Sequence, residues 1–512
     1  MDKKRFLINL ISNFLSALSG VGITFFLTPY IVSALGKESY GFFSLSNNFI
    51  MYAGILTTAL NSMSARFITI SLEQKDLKQV NVYFNSVLVG NFLISIFFFI
   101  VGGLCCLFLD RILDIPIPLV TDVKLLFAFM FIGLITNIST TAFSALAFAV
   151  NRLDKLAINN IIINMIRLVG IIALFYFFVP KIYFLGVVTV FTSFYFGFAN
   201  YRFSKKIMPE VRINFKDFST AALVVMLSSG VWNSVGALSN VVNSQIDLLI
   251  ANKLFDASAM GLLSLTKLAP NALQLLLGII VPVFLPEMIK AYAKNEKEKL
   301  LDILNFSFKL IFLILMIPMA IFYIYGTEFY QLWLPDQDFK TLYIISILTL
   351  TPLIVHGSIE TVYHVFVVTN KLKLLSIWGI FISILNFTTV IVLYKNTDLG
   401  IYSIPTAGFI VGLFNNLTFS PIYASKCLNL KYSFFYKKLL IGLLGFLILL
   451  AISYGWKALH LLEIDSWFRF LLNAILLGMI LLAASIGLRF DKATRNKAYN
   501  LVKSKFNIAD KQ

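Results

Sequence analysis

Fourteen apolar segments, each long enough to cross a bilayer as a helix, follow one another along this 512-residue chain. They lie at residues 6–35, 40–64, 81–109, 125–150, 157–179, 182–200, 220–250, 258–286, 303–325, 341–369, 374–394, 401–423, 439–456 and 467–488. The connections between them are too short to hold a folded domain. Because 59% of the residues are apolar and only 13% are charged, the chain is predicted to be an all-α polytopic membrane protein with about 14 transmembrane helices.

The basic residues are distributed unevenly between the two sides of this predicted membrane protein. Of the 42 Lys and Arg residues, 30 lie at the N-terminus, in the even-numbered connections and in the C-terminal tail, and 9 lie in the odd-numbered connections or, in the case of Arg469, just inside the last segment beside one. This bias predicts that both termini are cytoplasmic. The first apolar run continues to Leu35, beyond the length of a signal peptide, which indicates an uncleaved first span.

The net charge of +17 is therefore explained by membrane topology. No nucleic-acid partner is expected, because no nucleic-acid-binding motif is present. Bilayer lipids are expected partners: the basic tail, Arg489–Lys511, is predicted to lie on anionic headgroups.

The sequence contains an internal repeat, in which the first span aligns with the seventh. When residue i is aligned with residue i + 220, eight identities fall between positions 13 and 45, including Asn13/Asn233, Gly41/Gly261 and Leu45/Leu265. Six spans per repeat unit give both copies the same orientation in the membrane. The pattern predicts two six-helix bundles in a parallel pseudo-repeat plus two C-terminal helices. The corresponding parts are a six-helix lobe with a cytoplasmic linker at 1–218, a second lobe at 219–424, and two helices with a basic tail at 425–512.

One face of the first span is polar or small at helical spacing, and its repeat-equivalent in the seventh span is polar or small as well. A face of this kind either packs against another helix through small residues or lines a wet cavity, and amides in both copies favour the cavity. We call this face of the two spans the polar stripe. Its candidates for lining a cavity are Asn9, Asn13, Asn233, Asn240 and Ser244.

Four sequence stretches resemble the bacterial polysaccharide (O-antigen type) flippase family. They are Leu27–Leu45 (LTPYIVSALGKESYGFFSL), Gln245–Phe255 (QIDLLIANKLF), Met260–Leu268 (MGLLSLTKL) and Val281–Pro286 (VPVFLP). The resemblance is specific to the superfamily that also contains multidrug exporters and lipid II flippases. It implies an inner-membrane carrier of undecaprenyl-diphosphate-linked oligosaccharide, working by alternating access in cell-surface polysaccharide biosynthesis, with polymerase or assembly proteins as candidate partners. Asp256 departs from the pattern, since the first repeat has Gly36 there.

Three cations lie well inside the apolar segments, more than two residues from either end, where ionisable residues are costly and usually functional. Arg167 lies ten residues into its span and Lys267 lies nine residues into its span. At this depth neither side chain reaches the membrane surface easily, so both are substrate-binding candidates. A diphosphate suits this pair, because Arg binds phosphate oxygens in a bidentate fashion and Lys acts as a point charge. Lys309 is only about six residues into its span, so its long side chain is expected to reach the interface.

The tenth span carries His356, Glu360 and His364 at spacings of four residues, which places them on one face of a continuous helix. A carboxylate between imidazoles suits proton exchange, and structural hydrogen bonding is the alternative. Asp247 in the seventh span is a further candidate for ion coupling. No metal site, covalent catalysis or cofactor is expected, apart from coupling to a proton or sodium gradient.

Two other classes of function are open alternatives. A cation-coupled multidrug exporter of the same superfamily predicts an acidic, aromatic cavity, whereas central Arg and Lys favour an anionic cargo. A membrane glycosyltransferase or polymerase predicts paired carboxylates and a sizeable catalytic segment outside the membrane. The longest connections here have only about 15–18 residues, which disfavours an enzyme.

Overall fold

The computed structural model describes residues 3–357, 360–459 and 463–489, and this part of the chain contains helices and no strands. The helices up to residue 254 are α1 Lys3–Glu73, α2 Leu77–Leu107, α3 Leu109–Ile112, α4 Val120–Ala149, α5 Leu153–Phe177, α6 Tyr183–Ile207, α7 Thr220–Gln245 and α8 Asp247–Leu254. Those that follow are α9 Ala257–Thr266, α10 Leu268–Ile280, α11 Leu285–Ala293, α12 Lys297–Trp333, α13 Phe339–Gly357, α14 Val362–Val368, α15 Leu372–Asn396, α16 Ser403–Leu417, α17 Phe419–Cys427, α18 Ser433–Ala458 and α19 Trp467–Arg489. The prediction of an all-α polytopic membrane protein is confirmed.

Helix α1 contains two of the predicted spans, separated by a sharp break at Gly36. This residue has φ 81° and ψ 163°, non-helical values inside the long helix. That region of backbone conformation is essentially restricted to glycine. Gly36 therefore sets the change of direction between the first and the second span.

The first two predicted segments share α1, and each of the others coincides with one helix or with consecutive helices. The breaks explain why the helix lengths vary. Among the described residues, ten helices are long and apolar enough to cross a membrane. The seventh, tenth and twelfth segments are each divided between two helices, α7 and α8, α13 and α14, and α16 and α17. Broken helices are tolerated in membrane proteins where the freed backbone groups find other partners.

The contacts divide the described chain into two compact units. Unit 1 comprises the residues up to Leu265 together with Ser376–Phe387, and unit 2 comprises Thr266–Leu375 and the residues from Thr388 onward. The predicted boundaries at 218/219 and 424/425 follow the repeat, and they remain a prediction.

Each unit has its own apolar core. In unit 1, a cluster that includes Leu60, Phe84 and Phe143 joins α1, α2 and α4. In unit 2, α12 is central, since its Phe312 and Met316 pack with side chains of α10, α13, α18 and α19. Many large apolar side chains on the outside are well exposed, for example Phe99 at 67%, which suits a surface that faces lipid.

Candidate functional site

Arg167 lies on α5 inside unit 1, and its guanidinium is largely desolvated. Among the described residues, the buried Nε atom has no hydrogen-bond partner and no carboxylate pairs with Arg167. The guanidinium interacts electrostatically with the phenol of Tyr40. The hydroxyl of Tyr40 lies 3.1 Å from Thr28 Oγ1 on the other side of the α1 break. Arg167 is thus an intramembrane cation whose Nε–H group is available to donate to an anionic ligand.

A polar face on α5 continues from Arg167 toward the N-terminus of that helix. Asn164, one turn before Arg167, donates from Nδ2 to Ser19 Oγ on α1 at 2.9 Å. A Cβ atom on Gly20 would lie 3.5 Å from the same Nδ2 atom. Asn160 is exposed one further turn along. These amides were not among the predicted site residues, although Asn160, Asn164 and Arg167 follow one another at helical spacings of four and three residues.

The two predicted stripe residues at the start of α1 have different surroundings. Asn9 is buried. Its Nδ2 atom donates to Asn151 Oδ1 at 2.9 Å, and its Oδ1 atom accepts from the backbone N–H of Asp154 at 3.0 Å. Asn13 is exposed, and its amide donates to the carbonyl of Asn9 in its own helix at 2.9 Å. Asn9 therefore fastens α1 to the turn before α5, whereas Asn13 faces open space.

The stripe predicted on the seventh span is described in part. Ser244 is exposed and accepts a hydrogen bond from Gln245 Nε2 at 3.3 Å. A Cβ atom on Gly236 would meet nothing within 4 Å. The side chains of Asn233 and Asn240 lie outside the described residues.

The break between α7 and α8 brings a carbonyl and a carboxylate together in unit 1. The carbonyl of Gln245, at the end of α7, accepts from Asn48 Nδ2 and from Tyr52 Oη, both at 2.7 Å. Asp247 begins α8 and accepts the N–H of Leu248 at 2.9 Å. It also interacts electrostatically with Tyr52. This predicted ion-coupling residue therefore lies at the kind of helix break where transporters bind ions.

Glu360 and His364 lie at the break of the tenth span, in unit 2. Helix α13 ends at Gly357 and α14 begins at Val362, so Glu360 precedes α14 instead of lying on a continuous helix. Its Oε2 atom is buried. His364 interacts electrostatically with Glu360 and donates one ring N–H to the carbonyl of Val281, while its buried Nε2 atom has no hydrogen-bond partner among the described residues.

The same unit 2 region holds further polar groups beside Glu360. The hydroxyl of Tyr363 lies 3.0 Å from Ser420 Oγ and accepts from Asn415 Nδ2 at 3.4 Å. The predicted row of His356, Glu360 and His364 is thus interrupted by the helix break, and the side chain of His356 lies outside the described residues.

Lys267 also occupies a helix break in unit 2. It stands between α9, which ends at Thr266, and α10, which begins at Leu268. Its carbonyl accepts the backbone N–H of Asn271 at 3.0 Å. The side chain is partly buried.

These features define the class of the protein: a multi-pass α-helical membrane protein with broken spans and partly buried ionisable groups at the breaks. The comparisons with solved structures agree with this class. The fold is similar to that of a multidrug resistance MATE family transporter of the MOP superfamily in an inward-facing conformation, with a TM-score of 0.66 and 14% identity over 82% of this chain and 98% of the other. It is also similar to the lipid II flippase MurJ in an inward closed conformation, with a TM-score of 0.63 and 16% identity over 94% of this chain and 98% of the other.

A search by sequence finds one curated relative of nearly full length. The uncharacterized membrane protein EpsK of Bacillus subtilis (strain 168) is 28% identical over 467 residues, which cover 90% of this chain and 91% of the relative. No family model matches the chain. The chain therefore has the fold of MOP superfamily transporters and flippases, and its cargo has to be argued from its own residues.

Proposed function

We propose that this protein is a flippase for undecaprenyl-diphosphate-linked oligosaccharide repeat units. It moves them from the cytoplasmic to the periplasmic leaflet of the bacterial inner membrane by alternating access, for cell-surface polysaccharide biosynthesis. The movement requires no covalent chemistry. Arg167 carries the proposal, because its buried Nε has no hydrogen-bond partner among the described residues.

The chemistry of Arg167 favours an anionic cargo. A desolvated cation is costly in a membrane unless an anion accompanies it. Guanidinium groups bind phosphate oxygens through charge-assisted, often bidentate hydrogen bonds. A diphosphate headgroup in the interior of unit 1 would satisfy the Nε atom and offset that cost, while the lipid tail stays in the bilayer. Asn164 and Asn13 are amide candidates for sugar hydroxyls. Lys267, in unit 2, remains a phosphate-binding candidate predicted from sequence alone.

The comparison with the lipid II flippase supports a lipid-linked cargo over a drug. That match covers 94% of this chain, and the match with the MATE transporter covers 82%. The MATE likeness, with its TM-score of 0.66, makes a cation-coupled multidrug exporter the second candidate. In that case Asp247 or Glu360 would carry the coupling cation, and Arg167 would have no role in cargo binding.

The test is to deplete the protein and to determine which leaflet holds the lipid-linked sugars. Undecaprenyl-linked oligosaccharides are extracted from spheroplasts with and without prior exposure to an external glycosidase. The proposal predicts that complete repeat units accumulate in a pool that the glycosidase cannot reach. An unchanged pool with unchanged sidedness, together with increased drug susceptibility, would support the exporter instead.

A further inference from the structure

A polar contact inside unit 1 joins the two copies of the predicted repeat. Asn252, near the end of α8, is fully buried. Its Nδ2 atom donates to the carbonyl of Asp114 at 3.0 Å, and its Oδ1 atom accepts the backbone N–H of Asp114 at 3.0 Å. Asp114 lies in the connection between α3 and α4. One amide side chain of the second copy therefore satisfies both backbone groups of a residue in the first copy, and we call these two hydrogen bonds the Asn252 clamp.

An ion pair links the same two segments beside the clamp. Lys253 Nζ lies 3.3 Å from Asp114 Oδ1, and both side chains are exposed. Exposed pairs of this kind add little stability. Both segments are odd-numbered connections of the sequence, which the distribution of basic residues places on the periplasmic side. The contact between the two copies is thus on the predicted periplasmic side.

Hydrogen bonds within the first copy hold the connection that carries Asp114. Leu109 and Leu113, which lead up to it, are fully buried, and the N–H of Leu113 donates to the carbonyl of Leu109 at 2.8 Å. Lys124 of α4 donates from Nζ to the carbonyl of Leu107 at 3.0 Å. If the two copies part here, the hydrogen bonds of the clamp therefore break before the connection unfolds.

A cavity of about 360 Å³ lies beside the clamp. The connection before α4 lines one side of it with Leu113, Ile115 and Pro116, and the turn after α8 lines the other with Phe255 and Asp256. The two segments are apart at this point, so the clamp and not close packing holds them together there. Hydrogen bonds in a protein are exchanged for bonds to water at a small net cost. A contact of this kind can therefore open and close.

We propose that the Asn252 clamp is a latch that holds the periplasmic exit closed and opens in each transport cycle. This inference rests on the proposed function, since a carrier that works by alternating access has to part its two copies on the periplasmic side to release its cargo. An amide suits this role, because it fixes the closed arrangement through two directed bonds and adds no charge to the contact. Asn252 does not bind cargo; it sets how often the exit opens.

Cross-linking beside the clamp tests whether it has to open. The full-length protein has its three cysteines, Cys105, Cys106 and Cys427, replaced by serine. Asp114→Cys is then combined with Lys253→Cys, because both side chains are exposed. A short bifunctional methanethiosulfonate should stop the flipping of lipid-linked oligosaccharide in spheroplasts, and dithiothreitol should restore it. A long, flexible reagent should leave most of the flipping, because it allows the copies to part.

Asp122→Cys combined with Lys181→Cys is the matched control. These two residues pair at 3.1 Å, and they lie on the same predicted side of the membrane but belong to one copy of the repeat. The short reagent should therefore leave flipping unchanged in the control. Equal flipping by the Asp114 and Lys253 variant with and without the short cross-link would overturn the latch.

A measurement that needs no cargo separates the latch from the proposed function. Spin labels are attached at Ile117, which is 89% exposed on the connection before α4, and at Ser258 on α9, and double electron–electron resonance gives the distance between them. Asn252→Leu removes both hydrogen bonds of the clamp, so it should raise the ratio of open to closed molecules about tenfold or more and favour longer distances. Lys253→Gln should have a smaller effect in the same direction.

The two measurements can fail separately. If no form of the protein moves lipid-linked sugar, the proposed cargo is wrong, and the spin-label distances decide on the latch. A distance distribution in Asn252→Leu that equals that of the wild type overturns the latch even where flipping is intact. Thermal unfolding accompanies each variant, and Lys253→Gln and the short cross-link decide if Asn252→Leu does not fold.

Discussion

Gly41 and Gly261 pack backbone against backbone: a Cβ atom on Gly41 would lie 2.9 Å from both the Cα and the N atom of Gly261. These two glycines are also equivalent in the i + 220 alignment of the sequence. The contact leaves no room for a side chain at either position, so both glycines are sensitive to substitution.

Gly261→Val is expected to destabilise the protein strongly. A Cβ atom at this position would lie 2.5 Å from the carbonyl oxygen of Lys37, which is backbone and cannot move aside. Overpacking of a tight contact typically costs about 1–3 kcal/mol. A lower midpoint of thermal unfolding in detergent is the expected result. Gly54→Ala on α1 is the control, because a Cβ atom there meets nothing within 4 Å, and an equal loss in both variants would contradict this account.

Gly36→Ala is expected to lower stability although a Cβ atom at Gly36 also meets nothing within 4 Å. The cost comes from the backbone, since φ 81° and ψ 163° are nearly inaccessible to alanine. A conformation of this kind costs about 1–3 kcal/mol. Gly22→Ala, in the same helix and with equally open surroundings, should be neutral or slightly stabilising. Equal thermal unfolding of the two variants would show that the break at Gly36 tolerates a side chain.

Much of the fold was predictable from sequence, because apolar segments of spanning length report directly on membrane helices. The helix breaks were not, since the tenth segment is long enough to cross the bilayer as one helix, and its interruption at Glu360, before α14 begins at Val362, depends on packing. The same limit applies to the candidate site. Arg167 could be predicted as a candidate from sequence alone, because a charge inside the membrane is costly. The hydrogen bond from Asn164 to Ser19 could not be predicted, because it depends on the tertiary contact between α5 and α1.

Asn9 and Asn13 are four residues apart, yet their substitution should have different effects. Asn9→Ala removes the amide that joins Asn151 and Asp154 and leaves those groups without their partner. Each hydrogen bond of this kind contributes about 0.5–1.5 kcal/mol, so thermal stability should fall. Asn13→Ala should have little effect on stability, because its amide bonds only within its own helix. A stability loss in Asn13→Ala that matches the loss in Asn9→Ala would contradict the fastening role of Asn9.

Asp338 gives a pH-dependent contribution on the predicted periplasmic side. Its carboxylate accepts from Thr341 Oγ1 at 2.6 Å and from the backbone N–H of Thr341 at 3.2 Å. These hydrogen bonds from Thr341 hold the pKa of Asp338 below its usual value. The stability they add is present above the unfolded-state pKa of about 4 and is lost as the pH falls through the lower folded-state value. The difference in unfolding temperature between the wild type and Asp338→Asn should therefore be largest near neutral pH and shrink below about pH 4. Asp336→Asn, in the same connection, is the control, and a difference that grows with acidification would reverse the sign of this prediction.

Arg167→Ala is expected to reduce flipping of lipid-linked oligosaccharide by at least about tenfold while leaving membrane insertion intact. The buried Nε of Arg167 has no hydrogen-bond partner in the part of the chain that the structure describes, so an anionic headgroup gains more from it than from a solvated cation. Arg167→Lys keeps the charge but loses the planar donor geometry, and it should retain part of the activity. Arg111→Ala, which removes a cation that lies over the Phe108 ring before α4, is the matched control and should flip normally. The measurement is the fraction of lipid-linked sugar that an external glycosidase reaches in spheroplasts expressing each variant at equal level. Normal flipping by Arg167→Ala would remove this residue from cargo binding and with it the observation that favours an anionic cargo over a drug.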